Sequence, residues 1–209
     1  MNDPERDYRA RFVFDVLKRS GQTEFDRLID FGCGDGRVMN ALKGLVNAKQ
    51  AFGVDVNAPV DGETEPHAEP DTVRFCRTNL LQFQPAEKFD LVISNQVFEH
   101  IYEPWLADYF AVLKDSCEPG GTIVISTPNR WRPKNIMRAL TLRSPHMMCA
   151  NPGVPPEMHT GHHRECSYRE LRSIFAAHFP ESCWQIQIAM FKQPAAVRYR
   201  TNFGRNDCG

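Results

Sequence analysis

The residues best suited to hold a charged small molecule lie in a glycine turn, residues 32–36, which follows the apolar run Arg27–Phe31. A glycine turn between a strand and a helix lets the backbone approach a ligand closely and points amide groups at it. Asp30 precedes this turn, and Asp55 ends the next apolar run. A carboxylate at the position of Asp55 can accept hydrogen bonds from both ribose hydroxyls of an adenosine, although alone it also fits a solvated strand end. Together, the turn and Asp55 predict a cofactor that contains adenosine.

The spacing of the glycines separates two cofactor classes. A dinucleotide fingerprint, Gly-x-Gly-x-x-Gly, would need its third glycine at position 37, which is Arg37. Here the glycines stand at positions 32, 34 and 36. The spacing therefore disfavours NAD, and an NAD-dependent oxidoreductase is the weaker alternative.

Strands and helices alternate along most of the chain, which predicts a parallel sheet with right-handed crossovers. Hydrophobic periodicity and capping signals predict helices at 3–20 and 37–46, from Pro104 onward, and after a capping box of Ser167 and Glu170. Strands are expected at 27–31, 51–56, 73–76, 89–94, 122–126 and 184–190. Residues 57–72 are polar and acidic, so the second crossover helix should be short or absent. Residues 131–164 are long, irregular and proline-containing, which predicts a lid or substrate element.

Four motifs occur in an order that resembles the class I S-adenosylmethionine-dependent methyltransferases. They are Leu28-Ile29-Asp30-Phe31-Gly32-Cys33-Gly34-Asp35-Gly36, Val54-Asp55, the run from Phe89 to Glu99-His100, and Pro119-Gly120-Gly121 with Ser126-Thr127-Pro128-Asn129. The resemblance implies an α/β, Rossmann-like, doubly wound and mostly parallel sheet of order 3-2-1-4-5-7-6, with helices on both faces. Strand 7 should be short or absent, because Val197-Arg198-Tyr199 is the sole short candidate after residue 190.

The resemblance also implies which residues would hold S-adenosylmethionine. Asp30 and the turn would border the methionine portion, and Asp55 would bind the ribose. Val56 would lie beside the adenine, together with Asn79 and Leu80. The residues after strand 4 would border the reactive methyl. The full predicted set is Asp30, Gly32, Cys33, Gly34, Gly36, Asp55, Val56, Asn79, Leu80, Asn95 and Gln96.

Methyl transfer is an in-line displacement at an activated carbon, so the protein mainly supplies proximity and alignment. A base is needed only where the acceptor carries a proton. His100 is the candidate, because neutral imidazole can take a hydroxyl proton near pH 7, and Glu99 shares this assignment. A structural or cofactor-orienting role for the Glu99-His100 pair is the open alternative.

A second group of histidines and cysteines lies in the irregular segment. His159-x-x-His162 with Cys166 has a spacing like that of metal ligands, but it matches no closed zinc pattern, so no metal is expected. His162 and His163 are the candidates for lining the acceptor pocket, and simple exposure to water is the open alternative. His146 and Cys149 complete this group.

A basic stretch follows the fifth predicted strand, with apolar residues interleaved. It fits a solvated basic helix or a site for an anionic or lipid-linked acceptor. Its basic residues are Arg130, Arg132, Lys134, Arg138 and Arg143.

Composition limits the remaining possibilities. A chain of 209 residues with 42% hydrophobic residues suits a single domain over 1–209, with the insertion at about 131–164 and a loose tail at about 193–209. Seven dispersed cysteines predict reduced thiols, and the net charge of −1 argues against nucleic acid as a partner. The charged N-terminus and the short apolar runs predict a cytoplasmic protein with no transmembrane segment.

The leading functional hypothesis is methyl transfer to a hydroxyl of a small-molecule or glycan-type acceptor. A binding module that retains the cofactor pocket but has lost transfer is the first alternative, because a fold does not guarantee chemistry.

Overall fold

The computed structural model describes residues 4–59, 73–131, 133–140, 161–180, 182–192 and 200–203. The chain divides into two compact units. The first unit comprises Met1–Phe98 and Pro104–Ser126, and the second comprises Glu99–Glu103 and Thr127–Gly209. Predictions for residues 60–72, for most of the insertion at 131–164 and for most of the tail lie outside the described residues. The single domain over 1–209 stays a prediction.

The first unit is built on a five-stranded parallel sheet, which confirms the predicted fold class. Its order is β3-β2-β1-β4-β5. The strands are β1 (Arg27–Phe31), β2 (Gln50–Asp55), β3 (Val73–Arg77), β4 (Phe89–Asn95) and β5 (Cys117–Ser126). The order changes direction at β1, and ligands of open α/β sheets bind at such a switch point, outside the carboxyl ends of the strands.

Helices cover both faces of this sheet. On one face α1 (Pro4–Arg19) and α2 (Arg37–Leu45) share a buried core with β1, β2 and β4, because their apolar residues recur at helical spacing. On the other face lies α3 (Leu106–Ser116), whose Tyr109 hydroxyl donates a hydrogen bond of 2.9 Å to Ser94 Oγ on β4. The sheet is therefore buried on both sides, as a parallel sheet requires.

Strand β5 starts earlier than the sequence predicts. It was expected at 122–126, after a turn at Pro119-Gly120-Gly121, but the strand begins at Cys117 and includes these residues. The pairing moves from Phe89 opposite Cys117 to Leu91 opposite Thr122, so the extra residues form an irregularity in the ladder.

The second unit contains two helices and a small sheet. These are α4 (Pro133–Leu140), α5 (Tyr168–His178), β6 (Ala189–Lys192) and β7 (Arg200–Phe203). The predicted capping box is present at α5, where Ser167 and Glu170 satisfy each other's backbone amides. The short strand β7 follows the sequence candidate Val197-Arg198-Tyr199, which lies outside the described residues. It pairs with β6 in an antiparallel sheet of two strands rather than extending the order of the five-stranded sheet.

Strand β6 begins later than predicted. Alternation placed this strand at 184–190, but it spans Ala189–Lys192. Residues 184–188 have no regular structure, because alternation alone does not provide a partner for the backbone.

Two further expectations concern the described residues. The part of the chain that the structure describes contains no helix long and apolar enough to span a bilayer. Five of the described cysteines are free thiols: Cys33, Cys76, Cys117, Cys166 and Cys183.

Candidate functional site

The register of the sheet brings the predicted cofactor residues of the first unit to one edge. Phe31 at the end of β1 pairs with Val54 on β2 and with Ser94 on β4. The residues that follow these three, Gly32, Asp55 and Asn95, therefore emerge side by side at the carboxyl ends of the strands.

The three glycines of the turn all have positive φ but different surroundings. A Cβ at Gly32 would lie 2.2 Å from Val97 Cγ2, and one at Gly36 would lie 2.5 Å from the Phe75 ring. These two glycines permit close packing of the turn against neighbouring segments. A Cβ at Gly34, by contrast, would meet no atom within 4 Å. Gly34 is thus the point of the turn where a ligand can approach the backbone.

Asp55 is fixed over this turn by two amides. Its Oδ2 accepts a hydrogen bond of 2.9 Å from Gly34 N, and its Oδ1 accepts one of 2.7 Å from Asn57 N. A carboxylate oxygen has further lone pairs, so an oriented Asp55 can still accept the hydroxyls of a ribose.

Asp30 is a buried acid at the base of the site. Its side chain is 3% exposed, and its Oδ1 has no hydrogen-bond partner among the described residues. Burial, together with the negative charge of Asp55, raises the pKa of Asp30 to about 8. Such a carboxyl gains most from a cationic ligand group, and S-adenosylmethionine carries both a sulfonium and an ammonium. With the open approach at Gly34, the residues present fit that cofactor.

The loop after β4 is held in a strained form. Gln96 has a φ of 61°, a left-handed conformation that costs a non-glycine residue about 1 to 2 kcal/mol. Its amide donates to Ser126 O at 2.9 Å, and its Nε2 donates to Ser126 Oγ at 3.3 Å. Ser126 Oγ in turn donates to Asn95 Oδ1. These contacts to β5 fix Asn95 and Gln96, the two predicted residues at the end of β4.

The remaining predicted cofactor residues surround the ends of β1, β2 and β3. Val56 is 59% exposed directly after Asp55, which leaves an apolar surface available to an adenine ring. Asn79 precedes a short 3-10 helix, Leu80–Gln82, and its Oδ1 accepts from Leu81 N at 3.0 Å. Cys33 is buried, and burial with the charges of Asp30 and Asp55 raises the pKa of its thiol, so it stays protonated and inert.

The second unit brings together the four residues predicted for catalysis. The rings of His100 and His162 have centroids 4.8 Å apart, and His163 N donates to Glu99 O at 2.7 Å. One ligating atom each of Glu99, His100 and His162 lies within 4.8 Å of those of the other two. We call these three residues the Glu-His-His cluster. The ring of His163 instead lies 5.6 Å from that of Tyr102.

Sequence reasoning missed a buried carboxylate behind this cluster. Glu165 is 0% exposed; its Oε1 lies 3.2 Å from His162 Nδ1, and its Oε2 accepts a hydrogen bond from the buried Asn135. The spacing of His162 and Glu165, three residues apart, was a local signal for this pair. The burial of Glu165 was not visible in the sequence, because it depends on α4.

The basic stretch is described only in part. Arg130 forms an ion pair of 2.8 Å with Glu170 and donates from Nε to Glu165 O at 2.7 Å, so this arginine stabilises the second unit. The side chains of Arg132, Lys134, Arg138 and Arg143 lie outside the described residues, as do His146, Cys149 and His159.

Comparisons with known proteins identify relatives for most of the chain. A family model described as a methyltransferase domain matches residues 6–178. The ubiquinone biosynthesis O-methyltransferase of Bradyrhizobium sp. (strain ORS 278) is 34% identical over 111 residues, covering 51% of this chain and 42% of that protein. The trans-aconitate 2-methyltransferase of Klebsiella pneumoniae (strain 342) is 26% identical over 127 residues, covering 59% and 47%. The chain thus spans about half the length of these curated relatives.

A solved structure supports the fold. The 1,6-didemethyltoxoflavin-N1-methyltransferase of Burkholderia thailandensis, crystallised with 1,6-didemethyltoxoflavin and S-adenosylhomocysteine, matches with a TM-score of 0.58 at 16% identity. The match covers 93% of this chain and 76% of that one.

Proposed function

The chain belongs to the class I S-adenosylmethionine-dependent methyltransferases, and we propose that it transfers a methyl group from this cofactor to an oxygen of a small-molecule acceptor. The main support is the arrangement at the end of β1, where a buried Asp30, the open backbone at Gly34 and an oriented Asp55 lie together. Membership of this family also argues against the alternative of an NAD-dependent oxidoreductase.

The residues of the first unit would bind and orient the cofactor. Asp55 would accept the ribose hydroxyls, Val56 would contact the adenine, and Asp30 would compensate the positive charge of the methionine portion. When bound, the cofactor supplies a methyl group already activated on a sulfonium. Asn95 and Gln96 would border that group, because Ser126 holds both.

Acceptor activation is assigned to the second unit. The Glu-His-His cluster offers two imidazoles and one carboxylate, which is the chemistry needed to remove a hydroxyl proton near neutral pH. The names of two relatives, an O-methyltransferase of ubiquinone biosynthesis and a trans-aconitate methyltransferase, support a small-molecule acceptor. The proposal includes glycan-type acceptors, in which the methyl group would be transferred to a sugar hydroxyl.

Transfer of a labelled methyl group tests this function. The chain would be incubated with methyl-labelled S-adenosylmethionine and a panel of phenols, carboxylic acids, sugars and amines, with products read by mass spectrometry. We expect a labelled product on an oxygen acceptor and none from Asp55→Ala. Labelling of amines alone would overturn the oxygen assignment. Cofactor binding without any product would favour the module that has lost transfer.

A further inference from the structure

The Glu-His-His cluster has the composition of a metal centre as well as that of a base. Glu99 is 1% exposed, whereas His100 is exposed, so an ion can reach the cluster from solvent. Zinc ligands lie about 2.1 Å from the ion and so about 3.5 Å from each other. The ligand atoms of the cluster lie within 4.8 Å of one another, so their separations must shorten by about 1.3 Å at most to reach that geometry.

Hydrogen bonds orient both imidazoles for ligation. His100 Nδ1 lies 3.2 Å from Gly161 O, and His162 Nδ1 lies 3.2 Å from Glu165 Oε1. Both partners are acceptors, so each Nδ1 carries the proton and the lone pair of the neutral ring lies on Nε2. A carboxylate behind a histidine is the usual arrangement around protein metal ions, where it fixes the tautomer and raises ligand basicity.

The backbone around the cluster is fixed by contacts within the second unit. His163 N and Arg164 N both donate to Glu99 O, at 2.7 and 3.4 Å. Asn129 pairs with Cys166 in an isolated parallel bridge. These contacts keep His162 beside a Glu99-His100 pair from a distant part of the sequence, so the cluster does not depend on flexible side chains alone.

We propose that Glu99, His100 and His162 bind a divalent transition-metal ion of the zinc type. Two nitrogen ligands and one carboxylate favour such an ion over magnesium or calcium, which prefer oxygen ligands throughout. Three protein ligands leave a position open, as in catalytic zinc sites. An oxygen of the acceptor would take that position, and this last step rests on the proposed function.

Cobalt(II) is the probe, because its visible absorption reports ligand number and geometry. The untagged full chain, stripped with a chelator, would be titrated with Co²⁺ by absorption and with Zn²⁺ by calorimetry. We expect one ion per chain, with binding lost in Glu99→Gln and in His162→Ala. Glu165→Gln should bind about 10-fold to 100-fold more weakly. His163→Ala is the matched control and should bind as tightly as the wild type.

Two results would overturn the proposal: no stoichiometric binding by the wild type, or equal binding by Glu99→Gln and the wild type. Circular dichroism checks each variant, and if His162→Ala does not fold, the nearly isosteric Glu99→Gln and the wild-type spectrum decide. A separate titration with S-adenosylmethionine distinguishes the two hypotheses. Cofactor binding without metal binding would contradict only the proposed metal site. Metal binding without cofactor binding would contradict only the proposed function.

Discussion

The cofactor edge of the first unit and the Glu-His-His cluster of the second are built by different kinds of contact. At the cofactor edge, parallel strands in register place Gly32, Asp55 and Asn95 together, because each lies at the carboxyl end of its strand. In the cluster, His162 lies in irregular structure, and the amides of the next two residues, His163 and Arg164, donate to Glu99 O. The first arrangement follows from local rules of the fold, whereas the second requires a particular tertiary pairing.

The two regions also differ in charge. The cofactor edge combines two aspartates, one of them buried, and so favours a cation. The cluster combines imidazoles with carboxylates and so favours proton removal or an ion that promotes it. Changes in one region should therefore affect cofactor affinity, and changes in the other should affect turnover.

The largest expected effect is on turnover from the second unit. With an acceptor identified in the panel, His162→Ala should lower the rate of methyl transfer by at least about 100-fold, because acceptor activation is lost. Affinity for S-adenosylmethionine, measured by calorimetry, should change by less than about twofold, since His162 is not among the residues expected to bind the cofactor. A wild-type rate of methyl transfer in His162→Ala would show that the cluster does not activate the acceptor.

The glycine turn should separate stability from binding. Gly32→Ala adds a clash with Val97 to the cost of a positive φ, so we expect it to lower the free energy of unfolding by about 3 kcal/mol. Gly34→Ala meets no atom and should cost about 1 kcal/mol, but it should weaken cofactor binding about tenfold. Urea unfolding and calorimetry measure the two quantities. Equal destabilisation by both variants would contradict the different surroundings of the two glycines.

The pH dependence of stability should report Asp30. Its pKa is about 8 in the folded chain against an ordinary value of 3.8, so between these values the folded state binds the extra proton. Stability should therefore fall as the pH rises through this window. Asp30→Asn has nearly the same shape and cannot ionise. The free energy of unfolding of the wild type, measured relative to that of this variant, should therefore decrease from about pH 5 to about pH 8. A constant difference across this range would show that Asp30 is ionised throughout.

The same contrast explains which features the sequence could predict. Strands β1 to β4 and the capping box at Ser167 were predicted to within a residue or so, because periodicity, glycine turns and caps are local signals. The start of β5 at Cys117 was missed, since an irregularity in the ladder let the strand include a Pro-Gly-Gly sequence. The strand predicted at 184–190 was too early, because pairing with β7 decides where β6 begins.

The candidate site follows the same division. The residues of the cofactor edge were selected from spacing and resemblance, and the register places Gly32, Asp55 and Asn95 together. The catalytic candidates were selected one by one, but nothing in the sequence paired Glu99 with His162. The spacing of His162 and Glu165 was a local signal, but the burial of Glu165 and its contact with Asn135 could not be foreseen, because both depend on how α4 packs in the second unit.

Cofactor binding by the wild-type chain tests the central claim most directly. Calorimetry with S-adenosylmethionine should show one site, and Asp55→Ala should weaken binding by at least about 100-fold, since a charged acceptor of two ribose hydroxyls is lost. Asp35→Ala is the matched control, because this acid of the same turn is exposed and paired with Arg37, and it should bind nearly as the wild type does. A folded wild-type chain that does not bind the cofactor, or an Asp55→Ala variant that binds equally well, would contradict the account.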